Sequence, residues 1–178
     1  MDRAKAVAII QKVAPWFRDW PFEIAGSYRR GKELIGDIDV VSLAPWETVN
    51  ERVQKAAADG DVSIQEIGPA KVRFTIDGEQ VDIRYTDERH FGSMLLYFTG
   101  SRDFDIRMRS YAKAKGLRLN EYGIVLADGK TMQTFDTEKG VFDFLGLVYT
   151  APFLRNGRGT LRKKGRRADS AGSMMCGR

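Results

Sequence analysis

Cysteine and histidine are nearly missing from the 178-residue sequence, which holds one of each, Cys176 and His90. A single cysteine excludes a disulfide within the chain and any multi-cysteine zinc site. A single histidine excludes Ser-His-Asp chemistry unless His90 is itself the base, so a bound metal has to be a hard cation held by carboxylates. Long apolar runs are also missing. None approaches the roughly 18 residues of a membrane span, and the first segment, broken by Asp2, Lys5, Gln11 and Lys12, lacks the apolar stretch of a secretion signal. A cytoplasmic location and no membrane partner are expected.

What is present is an ordinary globular composition, 43% hydrophobic and 30% charged, compatible with one compact unit or two small lobes. The net charge of +5 is unevenly placed. Residues 155–178 hold eight basic residues (Arg155, Arg158, Arg162, Lys163, Lys164, Arg166, Arg167, Arg178) against Asp169 alone, so this stretch carries +7 and the other 154 residues −2. A near-neutral globule with a basic tail points to a polyanionic partner. The tail's low apolar content predicts disorder in isolation.

Val7, Ile10, Ala14 and Phe17 recur at helical spacing and predict a helix over 3–18, bent near Pro15. A strand at 22–25, a Gly- and Arg-rich loop at 26–36 and a buried strand through Ile38, Val40, Val41 and Leu43 follow, then a helix opened by Pro45. From Val62 to Tyr85 the period becomes two, and Asp77-Gly78 between two such runs is a hairpin signal. Helices are predicted over 88–98 and 101–115, short strands over 117–126 and a helix over 137–145. The fold class is therefore α+β, divided into a lobe at 1–88, a smaller α/β lobe at 89–154 and the tail at 155–178.

Asp37 and Asp39, two apart on a predicted strand, project from one face. Two carboxylates that close repel unless a cation lies between them. In Val81-Asp82-Ile83-Arg84-Tyr85, alternation turns Asp82 and Arg84 away from the apolar side. If that strand lies beside the first, three carboxylates converge and can hold two divalent cations for in-line phosphoryl transfer. A phosphate cradle stands upstream in Gly26-Ser27-Tyr28-Arg29-Arg30-Gly31, where glycine admits close backbone approach and Ser27 and Arg30 are donors. This GSxxRG, joined to the GDxD of Gly36-Asp37-Ile38-Asp39, is the signature of the nucleotidyltransferase superfamily.

The segment GSYRRGKELIGDIDVV resembles the catalytic segment of family X DNA polymerases. VDIR followed by LLYFTGSRDFDIRMRSYAKAKGLRLNEYG resembles the downstream palm and nucleotide-binding lobe of polymerase beta and its relatives, and TEKGVFDFLGLVY the end of that lobe. The resemblance runs from about Ala4 to Pro152. It implies a nucleotidyltransferase palm with a mixed sheet plus a small C-terminal lobe. Asp37, Asp39 and Asp82 become the ligands of two Mg²⁺ ions, with Mn²⁺ able to substitute, and Asp82 activates the primer hydroxyl. Gly26, Ser27, Arg30 and Gly36 bind the nucleotide's phosphate end, Tyr97, Phe98 and Gly100 its sugar, and Asp105 takes the position next to the base. Arg109, Arg84, Lys113, Arg158, Arg162, Lys163 and Lys164 become DNA contacts, and Arg84, Glu121 and Tyr122 a network coupling lobe closure to the metal site.

Departures from the family pattern are equally specific. Gln80 stands where most relatives carry an arginine beside the primer phosphate, Asp105 where they use asparagine, and Ile106 where they place a basic or polar group. Only 25 residues precede Gly26, so the lyase lobe of larger relatives is expected to be missing, as in the reduced family X polymerases of some viruses. The implied function is a monomeric, repair-type, low-fidelity DNA-directed polymerase, cytoplasmic or carried by a virus, adding dNTPs at gaps or nicks in DNA. A template-independent terminal transferase and a catalytically silent nucleic-acid-binding protein are the alternatives.

Overall fold

The computed structural model describes residues 1–157 and 159–165. Helix α1 (Arg3–Val13) starts where the Lys5 amide donates to the Asp2 side chain at 2.8 Å, an N-cap that satisfies one orphan donor. Ala6, Ile9 and Val13 form its buried stripe. Pro15 lacks the amide that a further α-turn needs, and the chain tightens into a 3-10 turn at Ala14–Phe17. There follow β1 (Phe22–Ile24), the single turn α2 (Gly26–Arg29), β2 (Ile38–Ser42), α3 (Trp46–Ala58), β3 (Val62–Ile67), β4 (Lys71–Ile76) and β5 (Glu79–Tyr85).

These strands make one mixed sheet in the order β1-β2-β5-β4-β3, in which only β2 and β5 run parallel. The β4–β5 hairpin turns at Asp77 and Gly78, both at positive φ (52° and 78°), as a tight two-residue turn requires. Strand alternation gives the sheet two unlike faces. Ile38, Val40, Val81 and Ile83 join Phe17, Phe74, Val49 and Val53 in the core against α1 and α3. Truncating Phe74 to alanine there costs about 3 to 5 kcal/mol. Asp39, Val41, Asp82 and Arg84 occupy the opposite face.

The chain continues through α4 (Phe91–Thr99), α5 (Arg102–Ala114), β6 (Arg118–Asn120), β7 (Gly123–Val125), β8 (Met132–Gln133) and α6 (Glu138–Leu145). Strands β6, β7 and β8 form a small antiparallel sheet. A second core gathers Leu96, Phe104, Met108, Ile124, Phe142 and Leu145. α4 bridges the two cores, since Met94 and Leu95 pack with Ala25 and Val41 while Leu96 belongs to the second cluster. Gly92 lets α4 meet the start of α6: its amide donates to the Phe135 carbonyl at 2.9 Å, and a Cβ there would lie 2.2 Å from the Thr137 backbone. Among the described residues no helix is long and apolar enough to cross a membrane.

The basic tail expected from Arg155 onward begins later than the charge count implied. Arg155 is 0% exposed, bound to Glu138 at 2.7 Å and surrounded by the rings of Phe104, Phe142 and Tyr149. Arg162 to Lys164 run back along the end of α6, the Val148 amide donating to the Arg162 carbonyl (2.8 Å) and the Lys164 amide to that of Gly146 (2.9 Å). Formal charge carries no information about partners, and the side chains of Arg155 and Lys164 have them, in Glu138 and Asp143. Arg158, Arg166, Arg167, Asp169, Cys176 and Arg178 lie outside the described residues.

Candidate active site

Parallel pairing of β2 with β5 sets Asp39 directly opposite Asp82, and Asp37 enters from the residue before β2. The three carboxylates each offer an oxygen within 4.8 Å of the others. Burial pushes the Asp39 carboxyl up to about 7, with the charges of Asp37 and Asp82 adding and those of Arg84 and Arg30 opposing. Burial, then Asp82, raises Asp37 as well. Two carboxylates whose ionised forms are disfavoured by burial and by neighbouring acids suit a divalent cation placed among them. Its donors are all hard oxygens, which fits a hard divalent ion.

The phosphate cradle is joined to these acids by contact. The Ala25 amide donates to the Asp39 carbonyl at 2.8 Å, and α2 then turns over the Asp39 side chain with Gly26 at φ +59°. Ser27 Oγ is buried without a partner, a donor free for a ligand. Arg30 is held by three hydrogen bonds to two residues. Its Nε donates to Asn156 Oδ1 at 2.9 Å, its Nη1 to the Thr99 carbonyl, and its own carbonyl accepts from Asn156 Nδ2 at 2.9 Å.

The end of α4 forms the opposite wall. Tyr97 and Phe98 meet edge to face at 5.1 Å, and Gly100 closes the helix at φ 63°. Between the walls lies a cleft of about 580 Å³ whose lining contains Gly26, Ser27, Arg30, Gly36, Tyr97, Phe98, Gly100 and Asp105, together with Asp37, Asp39, Arg102 and Arg109. All eight residues expected to bind the nucleotide therefore face one space. Burial pushes Asp105 up to about 7, against the pull of Arg109, Arg155 and Arg30.

Two expectations meet a different arrangement. Arg84 does not bond Glu121 or Tyr122. Its guanidinium lies over the Phe98 ring at 4.7 Å with Nε unpartnered, while Tyr122 is 48% exposed and stands edge-on to His90. The Asn120–Gly123 turn caps itself through Asn120 Oδ1, and Tyr122 packs against His90 instead. Lys164, expected on DNA, pairs with Asp143 at 2.8 Å. Arg109 and Lys113 are exposed along α5, and so are Arg162 and Lys163 beyond α6.

Sequence reasoning missed several residues that hold this site. Arg73 on β4 bonds Asp82, beside Gln80, which the sequence marked only as a departure from the family pattern and which bonds the same acid; Asn156 holds Arg30, and Glu138 is gripped by Arg29 (2.8 and 2.9 Å), Arg155 and the Tyr149 hydroxyl.

The DNA polymerase beta thumb family matches residues 94–156. The chain is 33% identical over 137 residues to DNA polymerase/3'-5' exonuclease PolX of Bacillus subtilis (strain 168), covering 75% of this chain and 24% of that protein. It is 33% identical over 160 residues to DNA polymerase lambda of Rattus norvegicus, covering 74% and 28%. Against Repair DNA polymerase X of African swine fever virus, identity is 27% over 135 residues, covering 71% and 76%. The chain thus spans about a quarter of the length of its bacterial and rat relatives and about three quarters of the viral one. With its mixed sheet and its GS and GDID motifs, the chain belongs to family X of the DNA polymerases.

Proposed function

We propose that the chain is a DNA-directed DNA polymerase of the repair type, which transfers a nucleotidyl group from a dNTP to a primer 3′-hydroxyl at gaps or nicks and releases pyrophosphate. The observation that carries this reading is the convergence of Asp37, Asp39 and Asp82 within 4.8 Å beside the cleft that Gly26, Ser27 and Arg30 line.

Asp37, Asp39 and Asp82 would hold two divalent cations, Mg²⁺ with Mn²⁺ able to substitute. When bound, these ions supply Lewis acidity toward the attacking and leaving oxygens. The chain's own part is positioning and electrostatics. Ser27 Oγ and the Arg30 guanidinium bind the β and γ phosphates. Tyr97 and Phe98 hold the sugar against Gly100, where the chain leaves no side chain. Asp82, on its own strand, is assigned to the primer hydroxyl. Arg109 and Lys113 present cations to the template strand, with Arg162 and Lys163 adding sequence-independent affinity. Each group comes from one chain, and the proposed unit is a monomer.

Primer extension on gapped duplex, nicked duplex and bare single strand, with dNTPs and with rNTPs, tests the reading. Template-directed dNTP addition at the gap is expected, and Asp82→Ala is expected to abolish it while nucleotide binding persists through Asp37 and Asp39. Addition to the bare strand would make the protein a terminal transferase. DNA binding without extension would make it a silent binder.

A further inference from the structure

Asp82 differs from its two neighbours in having both carboxylate oxygens already engaged. Arg73 is its direct cross-strand partner and donates Nε to Oδ1 at 2.6 Å and Nη2 to Oδ2 at 3.2 Å. Gln80 adds a bond to Oδ2 at 2.7 Å. A cation shared by three acids needs an oxygen of Asp82 for itself, and its double charge would stand beside a guanidinium. Both demands act against the Arg73–Asp82 pair. Arg73 is able to leave. Its side chain is 37% exposed, and the strand's apolar contacts belong to Val72 and Phe74 on the other face. Gln80, being neutral, is under no such pressure.

We propose that Arg73 is an exchange residue: it neutralises Asp82 in the metal-free protein and transfers its guanidinium to a backbone phosphate of the primer strand when the acids take up their cations. A planar fork released beside the acid that the primer end must reach meets an acceptor of matching geometry. Metal and primer then favour one another through a single side chain, a reciprocal coupling. The identity of the phosphate rests on the polymerase reading. The exchange at Asp82 does not.

Titrating Mn²⁺ into the protein alone, followed by electron paramagnetic resonance, reads the first half. If Arg73 competes with the metal, Arg73→Gln binds Mn²⁺ about tenfold more tightly, the worth of one charge-assisted hydrogen bond, and Arg73→Lys falls between. An arginine that only aims Asp82 at the metal gives the opposite sign, weaker binding on its removal, and that result or no change would overturn the proposal. Melting of each variant in chelator shows whether it is folded, with Arg73→Lys as the milder substitution. The second half is read from the affinity for primed DNA with and without Ca²⁺. The unmodified chain gains affinity with the ion, Arg73→Gln loses that gain, and adding Gln80→Arg restores it, because residue 80 already reaches Oδ2 from the same face. A gain that survives in Arg73→Gln would sink the primer contact. If the unmodified chain extends no primer, the polymerase reading fails while the Mn²⁺ titration still decides the exchange.

Discussion

Gly26 lies so close to Asp39 that a Cβ added to it would fall 2.2 Å from Asp39 Oδ2. The turn that cradles phosphate and the acid that would hold metal are therefore one packed unit, in which a side chain at the junction has to displace the Asp39 carboxylate. Gly26→Ala is expected to push Asp39 out of register with Asp82. Since a displacement of about 1 Å can cost about a hundredfold in rate, nucleotide addition should fall by that order. Thermal stability should fall by only about 1 to 3 kcal/mol, the ordinary strain of a non-glycine residue at such a φ. Steady-state kinetics beside calorimetric melting would separate the two, and parallel losses of both would show that Gly26 serves folding alone.

The parts of this site legible in the sequence are the local ones. Gly26, Ser27 and Arg30 lie within five residues, and Asp37 and Asp39 within three, so short-range chemistry announces them. The Asp77-Gly78 turn sets Ile76 opposite Glu79, and counting back from there puts Arg73 opposite Asp82, so that contact was within reach of the hairpin signal. The parallel union of β2 with β5 was not, because β3 and β4 intervene along the chain and no periodicity reports it. Asn156 reaches Arg30 across 126 positions, and Arg155 is buried by rings that composition cannot locate. β8, at two residues, is too short to show alternation.

Asp39 makes the metal-free protein sensitive to pH in a definite direction. Its carboxyl is pushed up to about 7, first by burial, while an unfolded chain titrates near about 3.9. Between these values the native state binds the extra proton, so stability falls as pH rises through the window. Melting in chelator should thus give a lower Tm at pH 8 than at pH 6. Asp39→Asn should raise the pH 8 value by about 2 to 4 °C for each kcal/mol relieved, and Mg²⁺ should do the same for the unmodified chain. A Tm that is flat between pH 6 and 8 would contradict the assignment.

Glu138 carries the opposite sign. Its burial alone would raise the carboxyl, but hydrogen bonds from Arg29 and Arg155 outweigh it and hold the group below its usual range. The stability it contributes is present above the unfolded value and lost as acid protonates it. Glu138→Gln leaves the Arg155 guanidinium buried with its charge unpaired, which costs about 3 to 5 kcal/mol. Urea unfolding should show that difference at pH 7 and a smaller one near pH 3. Arg29 adjoins Arg30, so the variant should also weaken nucleotide binding.

Asp105 should make insertion depend on pH in a way an asparagine would not. It faces the cleft, in the position that the proposed function gives to the minor-groove edge of the new pair, and burial pushes its carboxyl up to about 7. Below that value it is a neutral acid whose hydroxyl can donate to the N3 or O2 acceptors common to all correct pairs. Above it the carboxylate can only accept and repels the same atoms. Efficiency of correct insertion by Asp105→Asn relative to the unmodified chain is therefore expected to be near unity at pH 6 and to reach about fivefold at pH 9, the equivalent of about 1 kcal/mol for one hydrogen bond. Taking the ratio cancels the titration of Asp39, which both proteins share. A ratio constant from pH 6 to 9 would place the Asp105 side chain elsewhere, on Arg109 one helical turn along α5.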